Sequence, residues 1–125
     1  MKSVHSDLVP KAIGPYSQAV IAGDLIFCSG QIALDPVKGE LVAGGAKEQT
    51  VQVLKNLKEV LKAASVGFEA VASVTVYLRD MKDFNDVNEI YGSVFNTDPL
   101  PARVTVAVSG LPKNALVEIT CIASR

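Results

Sequence analysis

The spacing of apolar residues changes twice along this chain, and those changes restrict the fold more than any single motif. From about Ala46 to Ser65, Val53, Leu54, Leu57, Leu61 and Ala64 fall on one stripe, with Lys, Glu, Gln and Asn opposite. That is an amphipathic helix, and Gly67 stands where a left-handed C-terminal residue would end it. From Val71 to Leu78 the spacing drops to two: Val74, Val76 and Leu78 alternate with Ser73, Thr75 and Tyr77, a strand with one buried face. Helical spacing returns in Phe84, Val87, Tyr91, Val94 and Phe95, with Asp83 the expected N-cap and Asp86 in the first turn. Pro99 and Pro101 stop that helix and impose an extended approach to the next strand.

Upstream, Ser17 to Ala22 and Leu25 to Ser29 are short apolar runs joined by Gly23-Asp24, a hairpin with a turn pair that tolerates positive φ. The last two strands are expected at about Arg103 to Ser109 and Leu116 to Ala123. The order ββ-α-β-α-ββ predicts an α+β fold, a mixed sheet with both helices on one face, in one domain over residues 1–125.

Composition removes several function classes. A chain of 125 residues buries enough surface to fold without a disulfide or zinc staple. The net charge of −1 provides no field to draw a polyanion, and Lys47, Lys55, Lys58 and Lys62 are interleaved with Glu48 and Glu59 as a solvated helix face. Nucleic-acid binding is therefore not expected. No apolar run approaches the roughly 20 residues a membrane span needs. Met1 to Asp7 lacks the character of a signal or transit peptide, so a cytoplasmic location is expected. Cys28 and Cys121 lie far apart in apolar runs and read as buried small hydrophobes. His5 is the only histidine, beside a terminus expected to be mobile. Neither a metal site nor a His-dependent nucleophile is expected. Any catalysis falls to Arg, Glu, Asp, Tyr, Ser or Thr side chains and backbone groups, with no cofactor.

In the strand after Pro101, Val104, Val106 and Val108 alternate with Arg103, Thr105, Ala107 and Ser109. The valines suit the helix-covered face, which leaves Arg103 on the opposite face beside small residues. If the last two strands pair as an antiparallel hairpin with an odd register sum, Glu118 joins Arg103 on that face, as a diagonal neighbour at roughly 7–8 Å. An even sum separates them. Two readings then stand: a structural Arg103–Glu118 ion pair, or a guanidinium fork for a ligand carboxylate with Glu118 as acid or base. Leu116, Ile122 and Tyr77 would lie exposed on the same face, which points to a homo-oligomer.

The blocks Pro101-Ala102-Arg103, Leu111-Pro112-Lys113 and Val117-Glu118-Ile119 resemble the C-terminal signature of the RidA/YjgF family of enamine/imine deaminases. Ile13-Gly14-Pro15-Tyr16-Ser17-Gln18-Ala19, Ser29-Gly30-Gln31-Ile32 and Val87-Asn88-Glu89-Ile90-Tyr91 extend the resemblance over essentially the whole chain, in order. It implies a chorismate-mutase-like homotrimer with ligands in intersubunit clefts. The implied reaction is cofactor-independent hydrolysis of small 2-imino acids, tautomers of enamines released by pyridoxal-phosphate enzymes, to 2-keto acids and ammonia. By the same resemblance Arg103 would hold the substrate carboxylate and the Thr105 backbone would contact the imine end. Glu118 would position or activate water, Tyr16 would orient or protonate, and Ser29, Gly30 and Asn88 would line the cleft. Many members carry Cys where Thr105 stands and a larger residue where Gly110 stands. A non-enzymatic trimer that binds a metabolite is the alternative function; a ribonuclease is a third reading, against which the charge and the single histidine argue.

Overall fold

The computed structural model describes all residues from Met1 to Arg125. Eight elements follow in order: β1 (Lys2–Val4), β2 (Ala19–Ala22), β3 (Leu25–Gln31), α1 (Ala46–Ala63), β4 (Val71–Leu78), α2 (Phe84–Val94), β5 (Ala102–Ala107) and β6 (Val117–Ser124). The strands form one six-stranded sheet in the order β1-β2-β3-β6-β4-β5, mixed because β4 and β5 run parallel while the other pairs are antiparallel. Both helices pack on one face, where Val53, Leu57 and Leu61 of α1 meet Val74, Val76 and Leu78 of β4 and Ile119 of β6 in one apolar core. No helix is long and apolar enough to cross a membrane.

Three local expectations need correction. The N-terminus is a strand, with Ser3 paired to Val20, so the residues beside His5 are held on the sheet edge. Helix α1 ends in a Schellman motif: the Val66 N–H donates to the Leu61 carbonyl and the Ser65 N–H to that of Lys62. The left-handed residue is therefore Ser65, at φ 65°, and not Gly67, whose φ of −124° is extended. The helix ends two residues earlier than the glycine suggests. At the start of α2, Asp83 makes no capping bond. A short 3-10 turn at Met81–Asp83 intervenes, and Asp80 caps it by accepting from the Lys82 N–H at 2.9 Å.

The larger correction concerns β5 and β6, which do not pair. Strand β4 lies between them, with Tyr77 opposite Glu118 on one side and Val76 opposite Thr105 on the other. The connection from Val108 to Leu116 crosses the end of β4, where Val108 N–H bonds the Leu78 carbonyl and Arg79 N–H bonds that of Leu116. Because Arg103 and Thr105 are level with Val74 and Val76, they share the helix-covered face. Val104 and Val106 point to the open face, where they are 56% and 39% exposed. The alternation stands, but each set faces the side opposite to the one its polarity suggests. Glu118 shares the open face with Tyr77, so it and Arg103 lie on opposite faces of the sheet.

Candidate functional site: two half-sites on opposite faces

Arg103 is the second residue of β5, an edge strand of the sheet. Its Nη1 donates to Asn88 Oδ1 at 2.7 Å, and the guanidinium lies 4.7 Å from the ring centroid of Tyr91 and 5.9 Å from that of Phe84. Phe84, Asn88 and Tyr91 follow at helical spacing, so one face of α2 presents ring, amide and ring to the same side chain. Arg103 has no carboxylate partner; the two ion pairs of the chain are His5–Asp7 and Lys47–Glu89. The rest of its fork borders a hollow of about 310 Å³ lined also by Phe95, Leu100 and Pro101. Strand alternation follows from the Val108 N–H turned to β4, and it places the Thr105 N–H on the free outer edge. The Thr105 hydroxyl is buried without a partner.

Glu118 belongs to a different hollow, of about 260 Å³, on the other side of the sheet, with Tyr16, Gly30, Gln31, Lys11 and Lys113 in its walls. It has no hydrogen-bonded or ionic partner. Burial without such a partner pushes its carboxyl above the ordinary carboxylate range. Gly30 lets this happen: a β-carbon there would lie 2.9 Å from Glu118 Cδ. The irregular pairing between Cys28 and Gln31 turns that glycine toward β6. Tyr16 is half-exposed in a loop that Gln18 ties down. The Gln18 Oε1 accepts from Ser6 N–H at 2.7 Å and its Nε2 donates to the Ser6 and Pro10 carbonyls.

The seven expected site residues therefore divide. Tyr16, Gly30 and Glu118 gather in one hollow, Asn88 and Arg103 in the other, with Thr105 beside Arg103 on the same strand face. Ser29 joins neither hollow: its Oγ donates to the Ser17 carbonyl at 2.6 Å and secures the entry to β2. Tyr91, Lys11 and Lys113 were not among the expected residues. For Tyr91 the signal was present, three positions after Asn88 on one helix face. For Lys113 it was not, because its placement depends on the left-handed turn at φ 54°.

An Arg103–Glu118 ion pair within one chain is excluded by this arrangement. The strands are two spacings apart, about 10 Å, and the side chains leave opposite faces. Arg103 stands without an anionic partner in one hollow, and Glu118 without a basic one in the other. No cluster of three or more His, Cys, Asp or Glu side chains is placed to hold a metal ion.

Comparison with known proteins gives a consistent result. The family model for endoribonuclease L-PSP matches residues 7–125. A RutC family protein of Pyrococcus horikoshii is 51% identical over 96% of this chain and 94% of its own length. The 2-iminobutanoate/2-iminopropanoate deaminase of Homo sapiens is 50% identical over 91% of this chain and 82% of its own. Among solved structures, RidA from a Psychrobacter species superposes with a TM-score of 0.95 at 38% identity, each chain covered in full. E. coli TdcF with bound serine superposes with a TM-score of 0.93 at 36% identity, covering 100% of this chain and 99% of that one.

Proposed function

The chain belongs to the endoribonuclease L-PSP family, the RidA/YjgF proteins, and from that premise we propose that it hydrolyses small 2-imino acids to 2-keto acids and ammonia. The observation that carries this reading is Arg103, a guanidinium held by an amide and a ring, with a hollow beside it and no carboxylate of its own chain. Such a fork binds a carboxylate through two parallel N–H bonds. The relatives named as 2-iminobutanoate/2-iminopropanoate deaminases support the substrate class, and the serine bound to TdcF supports a ligand of amino-acid shape.

The reaction then needs Arg103 and Glu118 at one ligand, and opposite faces of one sheet prevent this within a chain. A second copy supplies the missing half: the Arg103 hollow of one protomer closes against the Glu118 hollow of the next, and three copies in a ring make three equal clefts. Leu25, Phe27, Val104 and Val106, all exposed on the open face, give that assembly an apolar surface to bury. In the cleft Arg103 fixes the carboxylate, and the outward Thr105 N–H meets the imine end. Glu118 takes a proton from the attacking water as oxygen bonds to the imine carbon. Tyr16 gives a proton to nitrogen to complete the carbinolamine; Glu118 then passes its proton to that nitrogen while the hydroxyl proton returns to Tyr16, so that the C–N bond breaks and ammonia leaves as the carbonyl forms. An imine carbon is already electrophilic, and orientation with one proton relay suffices. Burial raises the Glu118 carboxyl above its ordinary value, which makes the carboxylate a better proton acceptor. A soluble cytoplasmic homotrimer with no cofactor is the form this reading takes.

The test couples a pyridoxal-phosphate dehydratase to this protein and follows decay of the released imine. Acceleration over buffer that disappears in Arg103→Ala is expected; decay no faster than in buffer, or full activity in that variant, contradicts the assignment.

A further inference from the structure

The sheet carries a second reactive pair that the imine chemistry does not use. Cys28 on β3 and Cys121 on β6 are direct partners across an antiparallel pairing. Both face the helix side, 5% and 2% exposed, and both are free thiols. Directly paired residues in such a ladder have α-carbons about 4.5 or 5.5 Å apart, and either value lies within the range that a disulfide spans. From this juxtaposition we propose that Cys28 and Cys121 are a two-electron thiol site, which a small hydroperoxide closes to an intrachain disulfide without unfolding the protein.

The two thiols interact across the pairing, which lowers the Cys28 thiol and raises that of Cys121; burial opposes ionisation of both. Cys28, the more exposed of the two, acts as the nucleophile. Its thiolate attacks one peroxide oxygen, the O–O bond breaks, and the product is a sulfenic acid, with water or alcohol leaving. The Cys121 sulfur then attacks the sulfenic sulfur, the S–S bond forms, and a second water leaves with the Cys121 proton. The two thiols lose two electrons and the peroxide gains them. The immediate neighbour of each sulfenic sulfur is the other thiol, so closure outruns further oxidation.

The site's position gives the bond a consequence. Cys28 lies two residues before Gly30, and Cys121 three residues after Glu118, so the crosslink would staple the β3–β6 pair beside the bulge that sets Gly30 against Glu118. The covalent step itself does not depend on the imine reading and can succeed or fail independently of it.

The experiment treats native protein with a modest excess of hydrogen peroxide, quenches, alkylates under denaturing conditions and measures intact mass and peptide linkage. A mass lower by two hydrogens, no alkylated cysteine, a Cys28–Cys121 linked peptide and full reversal by a dithiol reductant are expected. The same treatment of Cys121→Ala should give Cys28 adducts and no intrachain link. In folded protein the linked form should exceed sulfinic acid at least tenfold, because the sheet holds the sulfurs together. Two thiols still alkylated after treatment, independent sulfinic acids on each, or closure only in denaturant would overturn the proposal. The linkage map on the wild-type protein decides this even if the alanine variant fails to fold.

Discussion

Gly30→Ala separates the stability of this fold from its proposed chemistry. An added β-carbon would lie 2.9 Å from Glu118 Cδ and 3.1 Å from Cγ, with Oε2 closer still. The Gly30 backbone lies outside the left-handed region, so alanine is not strained there, and loss of unfolded-state freedom favours it by about 0.4–1 kcal/mol. The clash falls on the end of a flexible side chain, which relieves it by rotating. Folding should therefore change by less than about 1 kcal/mol, whereas the carboxylate is displaced by an ångström or more. A misplacement of about 1 Å can cost on the order of 10²-fold in rate, and complete loss of an acid–base group about 10² to 10⁴. The prediction is a fall in kcat of about 10²-fold or more with KM little changed, because the proposed carboxylate clamp, Arg103, is in the other hollow. The dehydratase-coupled assay measures the rate and a thermal melt the stability. Gly110→Ala, where an added β-carbon meets nothing within 4 Å, should keep both. Near wild-type turnover in Gly30→Ala would refute the role given to Glu118, and collapse of the fold would refute the steric argument.

Other outcomes follow from single groups. Tyr91 OH is buried without a partner, so Tyr91→Phe should raise stability in urea melts by about 1 kcal/mol, its ring still 4.7 Å from the guanidinium and 4.5 Å from Phe95. Ser65 occupies the left-handed position at φ 65°, and Ser65→Gly should stabilise by about 1 kcal/mol in the same measurement. The Glu118 carboxyl sits above its ordinary 4.5 in the folded state, so the native state binds the proton more tightly than the unfolded chain. Stability from this group is then full below the unfolded value and is lost as pH rises through the folded one. Glu118→Gln should accordingly be more stable than wild type at neutral pH, and the difference should vanish below the ordinary carboxylate range; a difference independent of pH would show that burial does not govern this carboxyl.

The sequence made α1, the Gly23-Asp24 hairpin and the buried set of β4 legible, because each depends on a period that repeats within one element. The side of the sheet to which β5 turns its arginine does not. Alternation divides Arg103 and Thr105 from Val104 and Val106, but the parallel pairing with β4 decides which set meets the helices, and that is a long-range fact. Apolarity pointed the wrong way because α2 offers Arg103 an amide and two rings, and because the valines face an uncovered surface. The residue types of the site were therefore legible, and their division between two faces was not. Strand β1 spans only three residues, Lys2–Val4, too few to display a period.

The most direct test of a divided site is to mix two inactive proteins. Arg103→Ala and Glu118→Gln are each expected to be nearly inactive as pure assemblies. Unfolded together and refolded at equal amounts, they should recover about a quarter of wild-type activity, because a cleft works only where an intact Arg103 from one copy meets an intact Glu118 from another. A mixture no more active than its parents would contradict the account, since it would mean that both groups must come from the same chain, whose two faces keep them apart.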